Sequence, residues 1–382
     1  MILSELGASS EGGLVRAQAE VAWEEAEREG LSLFVETKED LGAAPLGDPN
    51  AFLLACLLPA WREGEKRVLI EGALCPVLLL NVRVALSTLR SWYPAMGAPP
   101  SIESTDGHAT RPPFGQALSF ISGGIDSLST LRWNHLSVPS DHPDAIRTVV
   151  PVMGTRSPSL TQEEFEEKTQ KIMSMTGPAA SDVGVTVTPV AANFWWLAAD
   201  GYFYDEKWQG AFLSSIACFF SDRFRKAYIG SSYEPPLQPW GSHPMLDNYY
   251  SSSYLQIEHH GLPLSRFEKT ALVADWEVGL QSIRVCQKDD AWMGNCGECE
   301  KCIRTMLALE ALERLADCKA FPIDHLSVDL VRSLETYSMV KSAYNARWYR
   351  ELVEPLRERG RDDLASAVET FALARFAAEL ET

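Results

Sequence analysis

The run "ALSFISGGIDSLST" holds the residue types best suited to chemistry in this sequence. Apolar residues lead into Ser122-Gly123-Gly124-Ile125-Asp126-Ser127, and a helical pattern follows. Glycines let a backbone approach an anion with no Cβ in the way. The N–H groups that open a helix, together with its dipole, favour negative charge. Ser122 and Ser127 add hydroxyl donors, and Asp126 can cap the helix or orient a magnesium-bound water. An ordinary strand-to-helix turn draws on the same residue types. Neither the lysine-bearing G-x-x-x-x-G-K-[ST] loop nor the dinucleotide G-x-G-x-x-G is present.

A second constellation is Cys286, Cys296, Cys299 and Cys302, spaced C-x9-C-x2-C-x2-C. Four thiolates in a short segment can close a tetrahedral zinc site that leaves no position open for water. A four-iron cluster accepts the same ligands and is the competing occupant. The expected role is structural, pinning the C-terminal helices to the domain before them. Cys56, Cys75, Cys218 and Cys318 lie in apolar runs and read as core.

The elements that must position these residues fall into three regions. Residues 1–113 form an accessory α+β region. It has an acidic helix expected over 15–29, a strand "LSLFVET", and helices over 51–61 and 77–92. A stretch rich in Pro, Gly and small polar residues ends this region. Residues 114–285 alternate strands ("ALSFI", "IRTVVPVMG", "VGVTVTPV", "KAYIGSS") with helices ("SLSTLRWNHL", "TQEEFEEKTQKIMSMTG", "WQGAFLSSIACFFSDRF"). That rhythm predicts an α/β fold, a Rossmann-like parallel sheet with helices on both faces and ligands at the strand ends. "ISGG", "VMGT" and "IGSS" mark three such ends, which adds Met153 and Ser231 to the expected ligand contacts. Residues 286–382 hold the cysteines and then helices, with Met306, Leu309, Leu312 and Ala316 on one helical face.

The hexapeptide S-G-G-x-D-S resembles the pyrophosphate loop of the ATP pyrophosphatase superfamily. The resemblance implies a fold of the adenine nucleotide alpha-hydrolase type. It also implies that residues 122–127 hold the β and γ phosphates of ATP while a substrate oxygen attacks the α phosphate. Together with the late cysteine cluster, the loop is similar to that of the 7-cyano-7-deazaguanine synthase family. That family adenylates a deazaguanine carboxylate and converts it with ammonia. "LPLSRFEKTALV" resembles a segment of that family, which would put Lys269 near the phosphates. The resemblance covers roughly residues 117–310. The family's tyrosine-proline-aspartate-cysteine motif has no copy; "WGSHPMLDNYYSS", with His243, Pro244 and Asp247, stands at the comparable place. Enlarged relatives in bacterial antiviral gene clusters suggest attachment of such a base to a macromolecule.

Other residues carry two readings each. His243 and Asp247 bind a substrate base or tune a proton near neutral pH, or form a capped turn. His259 and His260 are expected in a turn, with a metal-binding pair as the other reading. Arg266 and Lys269 neutralise a leaving pyrophosphate, or start a solvated helix. Asn193 ends a strand before "FWWLAADGYFYDEKW", an aromatic run that stacks a planar base or packs the N-terminal region. Ser231 and Ser232 are further candidates for phosphate or substrate contact.

The expected activity is ATP-dependent adenylation of a carboxylate on a heteroaromatic base, with Mg2+ and Zn2+. A nitrogen nucleophile, from ammonia or a protein partner, then completes the reaction. A related enzyme with a tRNA or other small-molecule acceptor, and a non-catalytic nucleotide sensor, are the alternatives. The formal charge of -18, from 52 acidic against 34 basic residues, disfavours nucleic acid as a partner. No apolar run is long enough for a bilayer and no leader pattern is evident, so a cytoplasmic chain is expected. A homodimer stays open.

Overall fold

Period-two patterning builds the first sheet. In strand β2 (Leu14–Ala22), Val15, Ala17, Ala19 and Val21 are buried while Arg16, Gln18 and Glu20 are turned the other way. The segment expected as a helix over residues 15–29 is therefore a strand over most of its length. Its alanines and charges match helical composition, but the alternation fits a pleat with one buried face. Strand β2 lies between β1 (Ile2–Glu11) and β3 (Leu31–Lys38), antiparallel to both. Arg16 and Glu36 sit opposite each other across β2 and β3, 2.6 Å apart.

The structure is a computed structural model that describes residues 1–11, 13–38, 47–154, 161–286, 288, 294–337 and 343–380. The chain forms two compact units. The first comprises Met1–Ile121, Asn134–Ser231 and Pro236–Gly261. The second comprises Ser122–Trp133, Ser232–Pro235 and Leu262–Thr382.

In the first unit, helices α1 (Pro49–Arg62) and α2 (Pro76–Trp92) each open on a proline, whose missing N–H costs nothing at that position. Helix α1 is buried on every side from Asn50 to Trp61, as its unbroken apolar run requires. Between and after them run β4 (Arg67–Ile70) and β5 (Ser101–Ser104). Strand β6 (Gln116–Phe120) precedes helix α3 (Ile125–Ser137). Then come β7 (Ile146–Val150), β8 (Val152–Gly154), α4 (Gln162–Asp182), β9 (Thr186–Val187) and β10 (Val190–Ala192). Helices α5 (Gly201–Phe203) and α6 (Gln209–Cys218), β11 (Phe224–Gly230), α7 (Pro244–Asp247) and β12 (Gln256–His260) complete this unit.

Two sheets result. One has five strands in the order β12-β11-β6-β7-β9, every pair parallel. The other has seven, in the order β5-β4-β1-β2-β3-β10-β8, and is mixed. The α/β class is as the alternation predicts, but the runs "IRTVVPVMG" and "VGVTVTPV" are not single strands. Each breaks at a proline, Pro151 or Pro189, and its second half joins the other sheet. Proline has no N–H to give a ladder, so a strand can leave its sheet there at little cost. The two crossings stay side by side, with Thr188 N–H bonded to Val149 O and Val190 N–H to Pro151 O. Thr155, the last residue of the "VMGT" end, lies outside the described residues.

The second unit gathers the start of α3 with α8 (Arg266–Ala274), α9 (Glu277–Gln281) and α10 (Glu300–Ala311). After these come α11 (Val328–Arg332), α12 (Ala343–Arg350), α13 (Val353–Glu358) and α14 (Asp362–Leu380). Helix α8 begins in a capping box: Ser265 Oγ accepts from Glu268 N–H, and the Glu268 carboxylate accepts from Ser265 N–H. In α10, Met306 and Leu309 are buried as expected, but the helix stops at Ala311, so Leu312 and Ala316 do not extend its face. Glu313, at φ +56°, turns the chain away. Among the described residues, no helix is long and apolar enough to cross a membrane.

Candidate functional site

The loop after β6 is bent by Gly123, whose φ of +76° is left-handed and unfavourable for residues with a Cβ. Ser127 holds the bend closed: its hydroxyl accepts from Ser122 N–H at 3.2 Å and donates to Gly124 O at 3.0 Å. Helix α3 starts at Ile125, so the amides of Ile125, Asp126 and Ser127 are first-turn donors that the helix itself does not use. The Gly124 carbonyl takes Leu128 N–H, and the Gly123 carbonyl takes Arg284 N–H at 2.7 Å. Ser122 is exposed, Asp126 and Ser127 are half-buried, and Ile125 is buried.

Asp126 is held from two sides. Arg266 Nη1 lies 2.7 Å from each of its carboxylate oxygens, and Ser232 Oγ donates to Oδ2 at 3.2 Å. Burial opposes the charge on Asp126, but Arg266 and Lys269 outweigh it and hold the carboxyl below its ordinary range. Both cations come from the first turn of α8, three residues apart on one face. Lys269 is almost wholly buried. Burial, assisted by Arg266, lowers its pKa, while Asp126 pulls it back up. A buried ammonium beside a carboxylate is what a pocket for an anionic ligand requires, and it also suits a plain ion-pair network.

Glu351, just past α12, accepts Phe267 N–H at 3.0 Å and is pushed up to about 7 by burial and by Glu234. Arg347 Nε lies 3.3 Å from Glu234. Glu234 and Glu351 are not legible as site residues, because nothing in their local sequence marks them.

The four cysteines converge. The sulfurs of Cys286, Cys296, Cys299 and Cys302 all lie within 4.8 Å of one another, with Cys296 to Cys302 at 3.9 Å and Cys286 to Cys299 at 4.0 Å. Zinc–sulfur bonds of about 2.3 Å in a tetrahedron put sulfurs about 3.8 Å apart, so the set fits one such ion. A four-iron cluster has to stand its thiolates around a larger core. Cys296 Sγ also accepts the N–H groups of Glu298 and Cys299, at 3.4 and 3.3 Å. Ionisation of Cys302 is opposed first by its hydrogen bond to Cys299, then by burial and the neighbouring sulfurs; a divalent cation reverses that balance. The cluster can hold a metal ion such as zinc. Residues 287 and 289–293, inside the C-x9-C interval, lie outside the described residues. Cys56, Cys75, Cys218 and Cys318 are buried, as expected of core residues.

The remaining candidates belong to the first unit. Met153, on β8, packs with Phe34, Phe165, Ile172 and Ala191 in an apolar cluster. Ser231 is buried and gives its N–H to His260 O at 2.7 Å. Asn193 is fully buried and bound to β3: its Oδ1 accepts Phe34 N–H and its Nδ2 donates to Ser32 O, both at 2.8 Å. "FWWL" forms a short 3-10 turn whose Phe194 joins the core.

His243 and Asp247 do come together. His243 caps α7, its Nδ1 accepting Met245 N–H at 3.0 Å, and its ring meets Trp92 edge-on at 4.8 Å. Burial and then His259 depress its pKa to about 4. The fully buried Asp247 carboxylate accepts from Ser242 Oγ and His259 Nδ1, each at 2.7 Å, and from His243 N–H at 3.3 Å. His259 and His260 are on strand β12, not in a turn, and so point to opposite sides. Gly210 leaves the space for this network: a Cβ there would sit 1.9 Å from Asp247 Oδ1.

No family model matches the sequence, and neither a curated protein nor a solved structure matches the chain.

Proposed function

We propose that the chain is an ATP-dependent adenylating enzyme whose phosphate seat is the Ser122–Ser127 loop, on a Rossmann-like fold of the adenine nucleotide alpha-hydrolase type. The observation that carries this reading is one arrangement within the second unit. A glycine-bent turn opens α3, its Asp126 is gripped by Arg266, and the buried Lys269 stands in the same charge network. The first-turn amides and the Ser122 and Ser127 hydroxyls would hold the β and γ phosphates. Arg266 and Lys269 would neutralise pyrophosphate as it departs. Asp126 would hold Mg2+, whose charge helps stabilise the transferring phosphate.

The substrate we assign is a carboxylate on a planar heteroaromatic base of the 7-deazaguanine type. Its oxygen attacks the α phosphorus, the bond to the β-phosphate bridge breaks, and pyrophosphate leaves. A nitrogen nucleophile, from ammonia or a protein amine, then attacks the acyl carbon and AMP departs. Positioning and charge neutralisation account for the acceleration. The four-cysteine centre, holding zinc, has a structural part, and the whole suits a cytoplasmic role of the antiviral type. Mass spectrometry of AMP, pyrophosphate and modified base after incubation with ATP and 7-carboxy-7-deazaguanine tests this. ATP turnover indifferent to every such base would sink the substrate assignment.

One observation favours a second reading. Asp126 accepts three hydrogen bonds from Arg266 and Ser232, as a staple for the loop would. On that view the chain binds nucleotide without consuming it. Asp126→Asn separates the two: loss of pyrophosphate release with nucleotide affinity retained supports catalysis, and absence of any release in the parent protein supports a sensor.

A further inference from the structure

Residues 282–286 form a strap with one end on the glycine bend and the other in the thiolate cluster. At the first end, Arg284 N–H binds Gly123 O at 2.7 Å. The bend lies flat on the strap: a Cβ at Gly123 would come within 2.9 Å of Arg284 Cβ and 3.5 Å of Ser282 O. At the other end is Cys286 itself, whose carbonyl takes Arg284 Nη1 at 3.0 Å. The strap is anchored behind by Ser282, whose N–H and hydroxyl both bond to the last turn of α9.

Asn295, the neighbour of Cys296, fastens the strap. Its Oδ1 accepts the N–H groups of Val285 and Cys286, at 2.9 and 3.2 Å. Its Nδ2 donates to Ile283 O at 2.8 Å and to Ala320 O at 2.9 Å. Both lone pairs and both donors of the amide are thus spent on backbone that ordinary secondary structure leaves unpaired. An amide with both donors and its acceptor committed defines one geometry and tolerates few others.

We infer that Asn295 and Arg284 are positioning residues through which occupancy of the four-cysteine centre sets the conformation of the Ser122–Ser127 loop. An ion drawing Cys286 and Cys296 together holds Asn295, the neighbour of Cys296, against the end of the strap at Cys286. The Arg284 N–H then stands where the Gly123 carbonyl needs it, and the bend keeps its amides outward. With the ion gone, the strap loses one fixed end and the bend its reference. The linkage goes beyond the reaction assigned above, and it concerns the resting protein before any nucleotide arrives.

Hydrogen exchange followed by mass spectrometry tests it on the full chain, with zinc bound and after removal by a chelator. Exchange of the Ser122, Leu128 and Arg284 amides, bonded to Ser127 Oγ and to the Gly124 and Gly123 carbonyls, is expected to accelerate about tenfold on zinc removal, within the usual range for coupled sites. Asn295→Ala loaded with cobalt(II) is the second arm; the thiolate–cobalt absorption reports whether all four sulfurs still bind. It should keep that absorption and yet show the fast loop exchange of the stripped parent, while Asn295→Asp, which keeps the accepting half, falls between. Loop exchange that ignores zinc removal overturns the inference. So does an Asn295→Ala protein with an intact cobalt spectrum and a slow loop. If Asn295→Ala loses cobalt, Asn295→Asp with its spectrum intact decides by the same criterion, and if both lose it, slow loop exchange in either metal-free variant overturns the linkage. No nucleotide enters these measurements, so failure here leaves the adenylation reading standing, and failure to bind ATP leaves the linkage standing.

Discussion

Substituting Gly123 by alanine is the sharpest probe of the bend. Two costs add. The residue sits at φ +76°, where a Cβ costs about 1–2 kcal/mol. The new methyl also lies 2.9 Å from Arg284 Cβ, well inside contact distance. Arg284 cannot retreat freely, because its N–H is held at 2.7 Å by the Gly123 carbonyl itself. Forced overpacking of this kind adds about 1–3 kcal/mol. Gly360 supplies the control within the same unit: its φ is +69°, but no atom lies within 4 Å of the place its Cβ would take. Gly360→Ala should therefore cost the dihedral part alone. The expected gap between the two variants is about 1–3 kcal/mol. Native-state hydrogen exchange at α8 and α10, in metal-loaded protein, measures both on one scale. Gly123→Ala should also weaken ATP binding, and Gly360→Ala should not. A Gly123→Ala protein as stable as Gly360→Ala would refute the packing of bend on strap.

Other consequences follow from the same geometry. Arg266→Met strips Asp126 of its hydrogen-bonded cation, leaving only Lys269, and should cost about 3 kcal/mol, less in the double variant with Asp126→Asn, as read by urea unfolding. His243 has a folded pKa depressed from 6.5 to about 4, so its contribution is present above pH 6.5 and is lost as pH falls toward 4. His243→Gln should flatten that acid limb by about 1–2 kcal/mol once screening is allowed for. Glu351, raised to about 7, works in the opposite sense: its contribution is full below pH 4.5 and is lost as pH rises through 7, so Glu351→Gln should flatten the neutral limb. Cys299→Ser should lower bound zinc from one ion per chain to well below one by elemental analysis, and lower the melting temperature.

The local features are legible in the sequence, and the long-range ones are not. Asp48 and Pro49 announce α1, Pro76 announces α2, and the alternation of strands and helices announces the parallel sheet. The serine-glycine bend and the convergence of four cysteines can be read from spacing, because each is set by a few residues of chain. Strand β2 reads wrongly as a helix because alanine and glutamate suit one by composition, and only the pairing with β1 and β3 decides between periods. The splitting of two strands at Pro151 and Pro189 depends on β3 accepting β10 as a neighbour, some 155 residues apart in sequence, which no local window contains. Asn193 looks available for a ligand because a strand-end amide is common in binding sites; here it replaces backbone partners for β3. Glu351 reaches the charge network from more than eighty residues beyond Arg266. Its apolar and basic neighbours give no hint of that position.

The central claim is that the bend beside Arg266 and Lys269 seats the phosphates of ATP during adenylyl transfer. The most direct measurement is exchange of labelled pyrophosphate into ATP by the zinc-loaded protein, with and without 7-carboxy-7-deazaguanine. The account predicts label in ATP only when the carboxylate is present, and none with Lys269→Met. Exchange that persists undiminished in Lys269→Met, or a folded, metal-replete chain that exchanges nothing with any base carboxylate, would contradict it.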